Sequence, residues 1–154
     1  MQEIQNMAPN NYFEQAIKNA LKGYFAENNA KDEANRIDCF NFKTFKIVGY
    51  DVRKTVTSRN YWLDIDQTTV VYDLLITYKA KKYESNCVAF EMDVCEDGSI
   101  YFKYNGHAYM TEKDGKVEIH NQSVSYGSWT HEMATAWLNK VADRINKKKV
   151  KGEE

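Results

Sequence analysis

The segment CVAFEMDVCEDGSIYFKYNGHAYMTEKDGKVEIHNQ, residues 87–122, constrains the fold of this chain more than any other. Apolar and polar residues alternate along it, and three pairs interrupt the alternation: Asp97-Gly98, Asn105-Gly106 and Asp114-Gly115. Alternation with period two, broken by Asp-Gly or Asn-Gly, is the mark of antiparallel hairpins. The register depends on how many residues each turn uses, since a one-residue slip moves every side chain to the other face. Two-residue turns throughout would set Phe90, Met92 and Val94 on the face opposite Ile100 and Phe102, splitting the apolar set. Three-residue loops at Glu96-Asp97-Gly98 and Lys113-Asp114-Gly115, with a two-residue turn at Asn105-Gly106, instead gather Val88, Phe90, Met92, Val94, Ile100, Phe102, Tyr104, Tyr109, Thr111, Val117 and Ile119 on one face. Glu91, Asp93, Tyr101, Lys103, Met110, Glu112, Lys116, Glu118 and His120 then form the outer face. The second register is the one expected.

Upstream, VVYDLLITYK reads as a strand with Val70, Tyr72, Leu74, Ile76 and Tyr78 on one side. Residues 39–52 are strand-like but change phase between Phe42 and Phe45, which suggests a bulge near Lys43–Thr44. Residues 53–69 have no clear period and read as a loop with a short strand. Two helices flank the strands. In the first, Phe13, Ala16, Ile17, Ala20, Leu21, Tyr24 and Phe25 recur at three- and four-residue spacing, with Asn10 or Asn11 as cap. In the second, from about Trp129 to Lys147, Met133, Trp137, Leu138, Val141 and Ile145 form the stripe, with Ser128 or Thr130 as cap. The expected architecture is α+β: an antiparallel meander of about five strands with an N-terminal and a C-terminal helix packed on one face. Residues 1–9 are expected to be a flexible N-terminus, 10–146 a single domain and 147–154 a disordered tail.

Composition narrows the function classes. A hydrophobic share of 43% with 28% charged residues is that of a folded chain, and the net charge of -1 lacks the basic excess of a general nucleic-acid binder. Cys39, Cys87 and Cys95 are an odd number without CxxC spacing, which fits reduced thiols in a cytoplasm better than a disulfide framework or a zinc knuckle. The first residues, MQEIQNMAPNN, lack the basic start and apolar run of a signal peptide, and no apolar window is long enough to span a membrane. Lysine, asparagine and tyrosine are abundant while arginine is scarce, a codon bias pointing to a low-G+C bacterial host or its phages and plasmids.

No catalytic constellation emerges. His107 falls on the core side and His120 on the outer side, which separates them, and His131 lies in the first turn of the last helix. Asp64-x-Asp66 resembles a metal pair but is short enough to arise by chance, and Glu91 and Asp93 have Lys103 as a cross-strand charge partner. No GxSxG or phosphate loop occurs, so neither metal nor cofactor is expected. The expectation is a non-catalytic domain that binds a protein through the outer sheet face and nearby loops, using Tyr61, Trp62, Tyr83, Glu91, Asp93, Tyr101, Lys103, Met110 and His120. An inhibitor of a host defence enzyme, of the anti-CRISPR kind, is one form of it. The alternative is a ligand-binding or enzymatic domain resembling cystatin-like or NTF2-like folds, with Tyr104, His107, Tyr109 and Trp137 lining a pocket. A third possibility, single-stranded nucleic acid held by Lys79, Lys81, Lys82 and the tyrosines of KYNGHAY, is less favoured.

Overall fold

The computed structural model describes residues 11–31, 45–78, 87–124 and 130–150. Helix α1 (Asn11–Lys31) precedes strands β1 (Phe45–Asn60), β2 (Ile65–Tyr78), β3 (Cys87–Cys95), β4 (Ile100–Lys113) and β5 (Lys116–Val124), and helix α2 (His131–Val150) follows. The strands pair in sequence order as one antiparallel sheet, so the α+β class and the five-stranded meander are as expected.

The helices do not share a face. Ile17, Leu21 and Phe25 of α1 pack with Leu74, Ile76, Val88, Phe90 and Met92. Ala134, Trp137, Leu138, Val141 and Ala142 of α2 pack with Leu75, Cys87, Ala89, Ala108, Val117 and Ile119. Leu74 and Leu75 are strand neighbours and point to opposite sides, so the sheet is sandwiched between the two helices. The expectation of two helices on one face fails because the sheet has two apolar faces of different texture. Large side chains fill the α1 face. Small ones (Gly49, Cys87, Ala89, Ala108) line the α2 face, where a Cβ built on Gly49 would stand 3.3 Å from Val141 Cγ1.

Helix α2 also shows how the sheet curves. Arg144 binds Asp51 of β1, and two residues later Asn146 holds both the N–H and the C=O of Val117 in β5 (2.8 and 3.0 Å). Both edge strands therefore reach the same turn of one helix, which requires the sheet to curl around α2 as a half-barrel. On the other side, Tyr24 meets Phe90 and Phe102 edge-on at 5.5 and 5.6 Å, and Phe25 meets Phe45 at 5.5 Å. Each fully buried aliphatic or aromatic side chain here contributes roughly 2 kcal/mol relative to exposure.

Three local devices set the registers. The β3–β4 loop has three residues, as expected: Cys95 N donates to Ser99 O and Gly98, at φ 94°, donates to Cys95 O, both at 2.9 Å. The β4–β5 turn uses two residues, not three: Lys113 pairs with Lys116, and Asp114 and Gly115 both take positive φ (55° and 78°). Asn105-Gly106 is no turn at all. Strand β4 runs through it, and Asn105 is the inserted residue of a bulge between the pairs Phe90–Tyr104 and Ala89–Gly106. Losing one residue from the last loop flips β5, so Val117 and Ile119 face α2 together with Met110, while Glu118 and His120 join Tyr109 and Thr111 on the other face.

Strand β1 carries bulges at Val48 and Arg53; the Lys43–Thr44 position expected for one lies outside the described residues. The stretch 53–69, expected as a loop with a short strand, is the distal half of the β1–β2 hairpin. In α2, Thr130 is the cap, its Oγ1 accepting from Met133 N at 3.1 Å, and the helix continues through residues 147–150, which were expected to begin a disordered tail.

Candidate functional site

The β1–β2 hairpin outruns its sheet. Strand β3 pairs with β2 only as far as Thr69–Cys95, while β1 and β2 stay paired out to Asn60–Ile65. Residues 57–68 therefore project as a two-stranded arm, four residues or about 13 Å of strand plus its turn. At its tip Tyr61, Trp62 and Leu63 are 85%, 97% and 61% exposed.

Polar contacts brace this tip from below. Asn60 Oδ1 accepts from the backbone N–H of both Trp62 and Leu63 at 3.0 Å, which closes the turn, and its Nδ2 donates to Gln67 Oε1 at 3.1 Å. Arg59 donates to Asp64, which sits at φ 56°, and to Asp66 at 3.2 Å. The Asp64-x-Asp66 pair is thus spent on an arginine. At the arm's root Thr68 N donates to Glu96 Oε1 at 3.1 Å, tying the arm to the β3–β4 loop.

Below the root lies a charged patch on the α2 side of the sheet. Asp51, Asp73 and Glu91 stand side by side on β1, β2 and β3, since Asp51 pairs with Asp73 and Asp73 with Glu91. Arg53 rises from its bulge to donate to Asp73, from Nε at 3.1 Å and again from Nη2, and its Nη1 lies 3.8 Å from Glu91. The side chains of Arg53, Asp73 and Glu91 are each only 12% exposed. Asp51 is held by Trp137 Nε1 at 2.7 Å and by Arg144. Asp93 is the strained member. Burial, then the hydrogen bond and charge of Glu91, push its carboxyl up to about 6 against the pull of Lys103 and Lys54, and its Oδ1 is enclosed with no hydrogen-bond partner.

The residues expected to form a protein-binding face are dispersed. Tyr61 and Trp62 are at the arm tip; Tyr101 is exposed and Lys103, 3.7 Å from Glu91, shares the α2 side with Glu91 and Asp93. Met110 is not on an open face: it is half-buried against the α2 core. His120 is on the α1 side, 3.3 Å from Glu118. Tyr83 lies outside the described residues, as do Lys79, Lys81, Lys82 and Cys39. Leu63, Ile65 and the bracing residues Arg59 and Asn60 were missed, because a hairpin with no apolar alternation gives no strand signal; the pair Tyr61-Trp62 was the only clue.

The pocket quartet is split as well. The Asn105 bulge places Tyr104 and His107 on the same face, where the Tyr104 hydroxyl bonds His107 Nδ1 and the rings stand 5.3 Å apart. Burial holds His107 below the usual histidine range. Trp137 is on the opposite side of the sheet, bonded to Asp51, so no common pocket joins them. In KYNGHAY the Asn105 side chain is fully buried, Tyr104, His107 and Tyr109 are half-buried, and Lys103 is exposed. Burial pushes the Cys87 thiol up to about 12, away from the reactive thiolate. Among the described residues no group of three His, Cys, Asp or Glu side chains could hold a metal ion, and no helix is long and apolar enough to cross a membrane.

Compared with protein-family models, with curated proteins and with solved structures, the chain matches none.

Proposed function

We propose that this protein is a non-catalytic protein-binding domain whose recognition element is the β1–β2 arm. One observation carries the reading: three large apolar side chains are held out in solvent on a turn that five polar contacts hold in one shape. Leaving Tyr61 and Trp62 exposed does nothing for folding, whereas tyrosine and tryptophan on a pre-ordered loop lose little entropy when a partner covers them. The tip also suits protein better than phosphate. Asp64 and Asp66 outnumber Arg59 there, which disfavours nucleic acid and anionic lipid surfaces. The narrower reading, an accessory protein or inhibitor of a host enzyme carried by a phage or plasmid, is supported by the amino-acid bias alone.

The test is capture of partners by the tagged protein, with and without nuclease, beside Trp62→Ala. A stoichiometric partner that survives nuclease and is lost with Trp62→Ala supports the reading. A partner retained equally by the variant, or lost with nuclease, sinks it.

A further inference from the structure

We propose that a second copy of this chain is the arm's partner, joined edge to edge along β1; this rests on the arm being the recognition element. Strand β1 is an edge of the sheet, and from Lys54 to Arg59 its side chains are exposed on both faces. Natural sheets blunt such edges with bulges, prolines or charges. Here the bulges at Val48 and Arg53 protect only the first part of the strand. Beyond them Lys54–Asn60 pairs regularly with β2, contains no proline, and has the β-branched run Thr55-Val56-Thr57 at its centre. Its one interior cation, Arg59, is already engaged by Asp64 and Asp66.

This segment is complementary to itself. A two-fold axis at Thr57 sets Lys54 opposite Asn60, Thr55 opposite Arg59 and Val56 opposite Ser58, with no like charges facing each other. An axis at Val56 would set Arg53 against Arg59. The Thr57 axis also carries the tip of each arm towards Val52 of the other copy, and Val52 and Val56 are the remaining exposed apolar side chains of β1, at 56% and 40%. The area is sufficient. Tyr61 and Trp62 bury about 200 Å² each when covered. With Leu63, Val52, Val56 and the strand backbone, each copy approaches the roughly 800 Å² per partner of a stable interface.

The full chain should sediment at twice its 18.0 kDa mass at micromolar concentration. Thr57→Lys, which sets two lysines face to face, and Trp62→Ser at the tip should each weaken the dimer at least tenfold; both sites are exposed, so circular dichroism should stay unchanged. Under oxidation Thr57→Cys should cross-link two copies, and Thr55→Cys, several residues out of register with its counterpart, should not. A monomer at these concentrations, or a dimer that both variants retain, overturns the proposal. If the chain is monomeric but Trp62→Ala still abolishes capture of another protein, the arm reading survives and the second-copy partner is rejected. Monomers that bind lipid vesicles through Trp62 overturn both.

Discussion

Replacing Arg53 with methionine should destabilise the protein by about 3 to 4 kcal/mol at pH 7, and by much less at pH 5. Arg53 supplies two N–H donors to Asp73 and a nearby charge to Glu91, in a patch where all three side chains are 12% exposed. Glu91 keeps Lys103 at 3.7 Å after the change. Asp73 is stranded between Asp51 and Glu91. Removing one partner of a buried pair costs about 3–5 kcal/mol. An upper limit follows from protonation: holding an aspartic acid neutral at pH 7, about three units above its ordinary value, costs about 4 kcal/mol. At pH 5 the same step costs only about 1.5 kcal/mol. A cost of this size is a large part of the ~5–15 kcal/mol that keeps a domain folded. Urea melts of both proteins at pH 7 and pH 5 measure it, and Arg53→Met with Asp73→Leu should recover most of the loss, since neither charge is then left alone. A loss under about 1 kcal/mol at pH 7, or one of equal size at pH 5, would falsify this account of the patch.

Asp93→Asn should stabilise the protein at pH 8 and leave it unchanged near pH 4. The folded-state value, raised from 3.8 to about 6, means that Asp93 contributes stability in full below pH 3.8 and loses it as pH rises through 6. Two units correspond to about 3 kcal/mol, which solvent screening reduces to about 1 kcal/mol for this half-buried group; thermal melts at the two pH values decide. Tyr104→Phe should cost about 1 kcal/mol by leaving His107 Nδ1 unpaired. Because burial depresses His107, its contribution should fade as pH drops below 6.5, and NMR titration of the imidazole should show a midpoint under that value. Gly115→Ala should cost about 1 kcal/mol or more in a chemical melt because φ is 78° there, although no atom lies near the new methyl.

Much of the fold was legible in local pattern. The helices followed from stripes at three- and four-residue spacing, and the α1 face of the sheet followed from alternation: Val88, Phe90, Met92, Val94, Ile100, Phe102 and Tyr104 do share it. Leu74-Leu75-Ile76 and Cys87-Val88-Ala89-Phe90 also held the sign that both faces are buried, since a strand covered on two sides reads as a continuous apolar run. The second face was hidden because its residues are small near α2 and charged farther out.

Some features were decided by the tertiary structure alone. A dipeptide such as Asn105-Gly106 suits a turn or a bulge equally, and only pairing with β3 chose the bulge that brings Tyr104 beside His107. The length of the last turn had the same character: one residue fewer put Val117 and Ile119 under α2, beside Met110. The arm is the clearest case. Tyr61-Trp62 stood in the sequence as aromatic residues that could equally have been buried beneath a loop. Strand β2 runs past the end of β3, and that mismatch of strand lengths carries the pair out into solvent. Periodicity reports which side of a strand a residue occupies. Whether anything lies on that side depends on where other strands end and helices pack, and those are long-range facts.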